Sequence, residues 1–212
     1  MYLPAHFNET RSEELHGLIS RHPLGALVVN GPEGLDANHL PFEFIAEAGG
    51  QGSLIAHVAR ANSFWKDVSD GADALVIFRG EHAYVSPSWY PSKHETHRHV
   101  PTWNYRVVHV NGKVRIRDDE RFVRGVVARL TRTHEGRTGA AQPWKMTDSA
   151  SEYIDRMLGA IVGIEIEITR MVGKWKVSQN RDERDRVGAA EELRKRGETA
   201  LAEAMLAVKG DG

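Results

Sequence analysis

The sequence contains no cysteine. Disulfide cross-links, thiolate metal sites and thiol nucleophiles are therefore excluded, and the composition fits a reducing compartment. Long apolar runs are also missing. Stretches such as LGALVV (24–29) fall far short of the roughly 20 residues that span a bilayer as a helix. The opening residues MYLPAHFNET show no basic segment followed by an apolar one. No signal peptide and no membrane association are expected, and the expected location is cytoplasmic. Charge of one sign is lacking as well. The net charge of −1 gives no global attraction to nucleic acid or anionic lipid. No G-x-G-x-x-G follows a strand, no phosphate-loop motif occurs and no nucleophile elbow is visible, so several common enzyme classes lose support. Internal repeats and low-complexity segments are missing too.

What remains is an ordinary globular composition, 41% apolar and 27% charged, in 212 residues. That length suits one large domain, or one domain with an appendage. Thr10-Arg-Ser-Glu13 has the pattern of a capping box, with Leu15, Leu18 and Ile19 on one face of the helix it would open. His22-Pro23 should end that helix. LGALVVN, GLDANHLPFEFIAE and SLIAHV then read as strands separated by the turns GPEG and AGGQG. Arg60 to Ser69 reads as a short helix, and DALVIFRG and HAYVSP as two strands. VPTWNYRVVHV and KVRIR flank Asn111-Gly112, the strongest short hairpin signal in the chain, because both turn residues must accept positive φ. DDERFVRGVVARLTRTHE and SASEYIDRMLGAI read as helices. IVGIEIEITRMVG alternates, placing Val162, Ile164, Ile166 and Ile168 on one face, and KWKVSQN reads as a last strand. Residues 181–212 read as a charged, helical C-terminal extension of a domain at 1–180. About eight strands joined by short turns predict a mainly β fold with α insertions, an antiparallel barrel in place of a doubly wound sheet.

Four segments carry possible chemistry. HVARAN (57–62) lies where a strand feeds a helix, so Arg60, His57 and Asn62 could converge with backbone N–H groups on a phosphate; a surface arginine and a capping asparagine are the plainer alternative. Tyr84, Trp89, Tyr90, Trp103 and Tyr105 crowd one window of a chain with only five Trp and five Tyr. Such a group could stack on a planar ligand or line a subunit interface. In KWKVSQN (174–180), Lys174 and Lys176 share a strand face, followed by Ser178, Gln179 and Asn180. His94, His97 and His99 match no common zinc spacing, and no metal site is expected there. Residues 93–137 hold eleven Lys/Arg against five Asp/Glu, a local excess that could serve phosphate or nucleic acid, or simply face solvent.

MYLPAHF, HVARAN, AYVSPSWY, VPTWNY, the IVGIEIEI strand and KWKVSQN together resemble the PaiB family over about residues 1–180. These are FMN-binding negative transcriptional regulators with a split-barrel fold related to pyridoxamine-phosphate oxidases. The resemblance implies a homodimer with FMN at the subunit interface. It implies that His57, Arg60 and Asn62 hold the phosphate and ribityl end. It places Trp103, Asn104, Tyr105, Lys176 and Gln179 near the ring or its cover from the partner subunit. A regulator without turnover is one expectation, with direct DNA binding weak. A flavin-dependent oxidoreductase is the alternative, and a haem-binding split barrel a further one.

Overall fold

A computed structural model describes residues 1–48 and 50–208. In chain order the strands are β1 (Asn8–Glu9), β2 (Leu24–Gly31), β3 (Gly34–Pro41), β4 (Glu43–Ile45), β5 (Ser53–Ala59), β6 (Asp73–Val85), β7 (Thr102–Arg117) and β8 (Ile161–Lys176). The helices are α1 (Ser12–Arg21), α2 (Phe64–Asp67), α3 (Lys93–Thr96), α4 (Glu120–Glu135), α5 (Ser151–Gly159), α6 (Glu183–Lys195) and α7 (Thr199–Ala207). The sheet order is β3-β2-β6-β7-β8-β5-β4, with β1 added to β8. Every pairing with a resolved register is antiparallel.

The chain forms two compact units. The first comprises residues 1–15, 79–108 and the chain from Val172 onward, and the second His16–Phe78 and His109–Met171. In the second unit β2 and β3 form a hairpin that closes on the Gly31–Gly34 pair. Gly34 has φ of 109°, a conformation that only glycine adopts without strain. β5 lies between β4 and β8, and its residues Leu54, Ile55, Ala56 and Val58 are buried. Helix α4 opens on an Asp119 carboxylate that accepts from the Phe122 N–H at 2.8 Å. Its inner face puts Val126 and Leu130 against Ile55, while Val123 packs with Ile154 and Leu158 of α5.

In the first unit the residues after β8 dock their apolar faces. Ala189, Ala190, Leu193, Leu201, Ala202 and Met205 are buried. A Cβ at Gly188 would lie 2.7 Å from the Trp89 carbonyl oxygen, so α6 sits directly on the 87–91 turn.

Several expectations need correction. Asn111-Gly112 is no turn: β7 runs through it from Thr102 to Arg117. DALVIFRG and HAYVSP are one strand, β6, and the last two expected strands are one, β8. GLDANHLPFEFIAE divides into β3 and β4. Thr10 does not cap α1; the Glu9 carboxylate accepts the Arg11 N–H at 2.9 Å, and the helix starts at Ser12. The helix expected from Arg60 to Ser69 is one turn, α2. Gly49 of the AGGQG turn and residues 209–212 of the tail lie outside the described residues. Among the described residues no helix is long and apolar enough to cross a membrane.

Candidate functional site

Two groups of side chains carry the site residues expected from the sequence, one in each unit. In the second unit, β5 ends at Ala59 and delivers Arg60 beside the start of α4. Its guanidinium makes a bidentate pair with Asp118, 2.9 Å from Nη1 to Oδ2 and 2.5 Å from Nη2 to Oδ1. The Arg60 Nε donates to the Gly159 carbonyl at 2.8 Å, and Nη2 also to that of Ile161 at 3.1 Å. These hydrogen bonds hold the Asp118 carboxyl below its ordinary range. The fork is thus committed inside the chain. Asn62 donates to Asn38 Oδ1 at 2.7 Å and accepts from the Phe64 N–H at 2.9 Å. The single turn of α2 adds little dipole to this group.

His57 sits half-buried on β5 opposite Gly163, and burial pushes its imidazole below the usual histidine range. A lowered histidine contributes stability that is fully present above the unfolded value of 6.5 and is lost as the pH falls through the folded one. Burial lowers His16 in the same direction. Denaturant midpoints should therefore drop between about pH 7 and about pH 5.5, less so in His57→Asn. Equal slopes for the two proteins would remove His57 from this linkage.

In the first unit, alternation along three strands puts six side chains on one face. They are His82 and Tyr84 from β6, Trp103 and Tyr105 from β7, and Lys174 and Lys176 from β8. Trp103 is 55% exposed, with the His82 and Tyr84 rings 6.4 and 6.3 Å from it. The Lys174 ammonium lies over the rings of Tyr105 and Tyr2, 5.5 and 5.6 Å away, and donates to the Tyr2 carbonyl at 3.0 Å. Lys176 donates to Thr102 Oγ1 and, at 2.5 Å, to the Trp103 carbonyl. Burial, and then the charges of Lys174 and Arg181, push the Lys176 ammonium below the usual lysine range. Arg181 meets His99 Nδ1 at 3.3 Å and lies over the Tyr90 ring. Among the described residues no carboxylate lies within 4 Å of Lys174, Lys176 or Arg181.

The other residues expected near a ring are placed differently. Asn104 is buried and faces the opposite way, donating to Ser178 Oγ at 2.8 Å and to Met205 Sδ at 3.4 Å. Gln179 folds back on its own strand end, donating to the Trp175 carbonyl and accepting from the Val177 N–H. Tyr90 is fully buried, and Trp89 lies under Arg196, so only part of the Trp/Tyr window shares the exposed face. Of the three histidines, His97 caps α3 in a left-handed conformation and is exposed. His99 Nε2 lies 2.7 Å from Ser92 Oγ, and the His94 side chain is outside the described residues. Ser92 and Asp185, which complete that cluster, carry no sequence signal: 93 positions separate them.

Part of the basic strip is neutralised in place. Arg106 pairs with Glu81, Arg115 with Asp70 and Glu167, Arg117 with Glu165, and Arg124 with Glu120 and Asp155.

Residues 1–170 match the family model described as "Putative FMN-binding domain". The chain is 30% identical over 193 residues to the protease synthase and sporulation protein PAI 2 of Bacillus subtilis, covering 91% of this chain and 89% of that one. Among solved structures it resembles the FAD and haem binding protein of Mycobacterium smegmatis, with a TM-score of 0.54 at 19% identity over 80% of this chain and 73% of that one. It also resembles the flavocytochrome Anf3 of Azotobacter vinelandii, with a TM-score of 0.54 at 12% identity over 80% and 69%. The fold is the antiparallel split barrel, mainly β with helices, and helices follow its last strand.

Proposed function

The chain belongs to the FMN-binding domain family that includes PaiB, whose cofactor is FMN, and from that premise we propose that it works as a flavin-binding negative transcriptional regulator. It would act as a homodimer in the cytoplasm, with residues 181–212 as a helical extension of the 1–180 domain. The observation that carries the flavin reading is the exposed face of the first unit. A flat indole lies open beside His82 and Tyr84, and among the described residues no carboxylate lies within 4 Å of the neighbouring Lys174 and Lys176. That donor set fits a planar, partly anionic cofactor. We assign Trp103, Tyr105 and Lys176 to the ring, with Asn104 and Gln179 bracing the strands that present them. When bound, FMN supplies one- or two-electron redox chemistry.

We assign the phosphate and ribityl end to His57, Arg60 and Asn62. A phosphate there must compete with Asp118 for the Arg60 fork. Asp118→Asn is therefore expected to tighten FMN binding several-fold in a flavin-fluorescence titration, and to lose that gain in an Arg60→Ala background. Unchanged affinity in Asp118→Asn would leave Arg60 a bracing residue only.

The partly paired basic strip favours weak, charge-driven DNA contact near 10⁻⁴–10⁻⁶ M over specific binding at about 10⁻⁸ M. The uncompensated cations beside an open aromatic ring favour a second reading, a flavin-dependent oxidoreductase. Oxidation of NADPH by the FMN-loaded protein would decide for it.

A further inference from the structure

Helix α4 of the second unit ends beside a cavity of about 460 Å³ that the flavin assignment does not use. Its far wall is the segment 143–147, and every residue that lines it belongs to the second unit. Hydrogen bonds hold that wall in place. The Trp144 N–H donates to the Glu135 carboxylate and the Lys145 N–H to the Asp148 carboxylate, both at 2.9 Å. Met146 is half-buried and packs with Val123, Ile154 and Leu158. Between these fixtures the Trp144 side chain is 42% exposed. Among the described residues its indole meets no other ring and no cation. The chain thus fixes a flat apolar surface and leaves it open.

Two cations, Arg132 and Lys145, line the same cavity against one carboxylate, Glu135, an oxygen of which the Trp144 N–H already engages. Every charged side chain of the second unit is described, and among the described residues no carboxylate lies within 4 Å of either cation. Neither is needed to finish α4. The carbonyls of Arg132, His134 and Glu135 accept from the N–H groups of Gly136, Arg137 and Thr138 at 3.1, 3.0 and 3.1 Å. We propose that this cavity binds a planar aromatic carboxylate, with its ring against Trp144 and Met146 and its charge at Arg132 and Lys145. The volume falls in the range of about 300–1,000 Å³ that small ligands occupy. An indole face and a thioether favour a ring over an acyl chain. A carboxylate accepts charge-assisted hydrogen bonds from both cations. The site goes beyond the flavin reading and does not depend on it.

The probe is 2-naphthoate, and the comparison is 2-naphthol, the same ring without the charge at neutral pH. Both are measured by equilibrium dialysis against the flavin-free full chain. Naphthoate should saturate with a Kd below about 1 mM and bind several-fold more tightly than naphthol. Trp144→Ala should weaken both about fivefold or more through loss of the ring contact, and Trp144→Phe, which keeps a ring, should weaken them less. Arg132→Gln combined with Lys145→Gln should bring naphthoate down to the affinity of naphthol and leave naphthol unchanged. All three side chains are exposed, so the urea midpoints of these variants should stay near wild type. Absence of saturation in the wild type, or equal affinity in Trp144→Ala, overturns the site. Naphthol binding as tightly as naphthoate overturns the carboxylate. Displacement of naphthoate by FMN makes the cavity part of the flavin site and overturns the proposal. FMN binding itself is followed by visible absorption. If FMN fails to bind while naphthoate behaves as described, the aromatic-acid site stands and the flavin reading falls.

Discussion

Asp185→Ala is expected to destabilise the protein by about 3 kcal/mol, because it strands two buried donors. Asp185 is 1% exposed near the start of α6. One carboxylate oxygen accepts the Ser92 N–H at 3.0 Å and the other accepts from the Ser92 hydroxyl at 2.5 Å. Ser92 is itself 4% exposed, and His99 Nε2 approaches its hydroxyl at 2.7 Å. Water cannot readily replace the lost acceptor at such a site, and an unsatisfied buried donor costs about 1–3 kcal/mol. Asp185→Asn keeps one carbonyl acceptor for the Ser92 N–H, so it should fall between alanine and wild type. The outer pair between Arg184 and Glu95 holds the same two segments but is open to solvent, so its loss should matter far less. Urea titration measures the differences. Hydrogen exchange adds a readout specific to the tail, since Leu193, Leu201 and Met205 become exposed if α6 and α7 lift away. Asp185→Ala within about 0.5 kcal/mol of wild type would show that the cluster does not hold the tail.

This cluster also marks where sequence reading stops. The period-two face of Val162, Ile164, Ile166 and Ile168 was legible, and all four are buried. So was the helix over DDERFVRGVVARLTRTHE, which forms α4. These depend on neighbours within a few residues. Lys174 and Lys176 were legible as partners on one face for the same reason. What could not be read was whether a polar side chain finds a partner far along the chain. Arg60 looks free in HVARAN, yet Asp118 takes up its fork. Asn104 sits in sequence between the exposed Trp103 and the half-buried Tyr105 and is buried by pleat parity. Arg115 and Arg117 look like a basic stripe until Glu165 and Glu167 appear on the next strand.

The Asn111-Gly112 pair shows how a local signal loses to packing, and it gives the other large expected effect. In a two-residue hairpin both positions would need positive φ, and asparagine would matter as much as glycine. In the structure neither residue has positive φ, and β7 passes straight through both. The glycine serves close approach instead. A Cβ at Gly112 would lie 2.5 Å from the Glu167 carbonyl oxygen and 2.5 Å from Ile166 Cγ2. The first of these is backbone of β8, which β5 holds in register from Ser53–Glu167 to Ala59–Ile161. Neither strand can yield without breaking ladder hydrogen bonds, so Gly112→Ala should cost about 3 kcal/mol, at the upper end for overpacking. Asn111 is only partly buried, and at that position its backbone carbonyl accepts from the Thr169 hydroxyl at 3.2 Å. Asn111→Ala keeps that carbonyl and should stay within about 0.5 kcal/mol of wild type. Thermal or urea denaturation of the two variants separates the explanations. A large loss confined to Gly112→Ala means close strand packing, whereas comparable losses in both variants would restore the turn and require β7 to be broken in two.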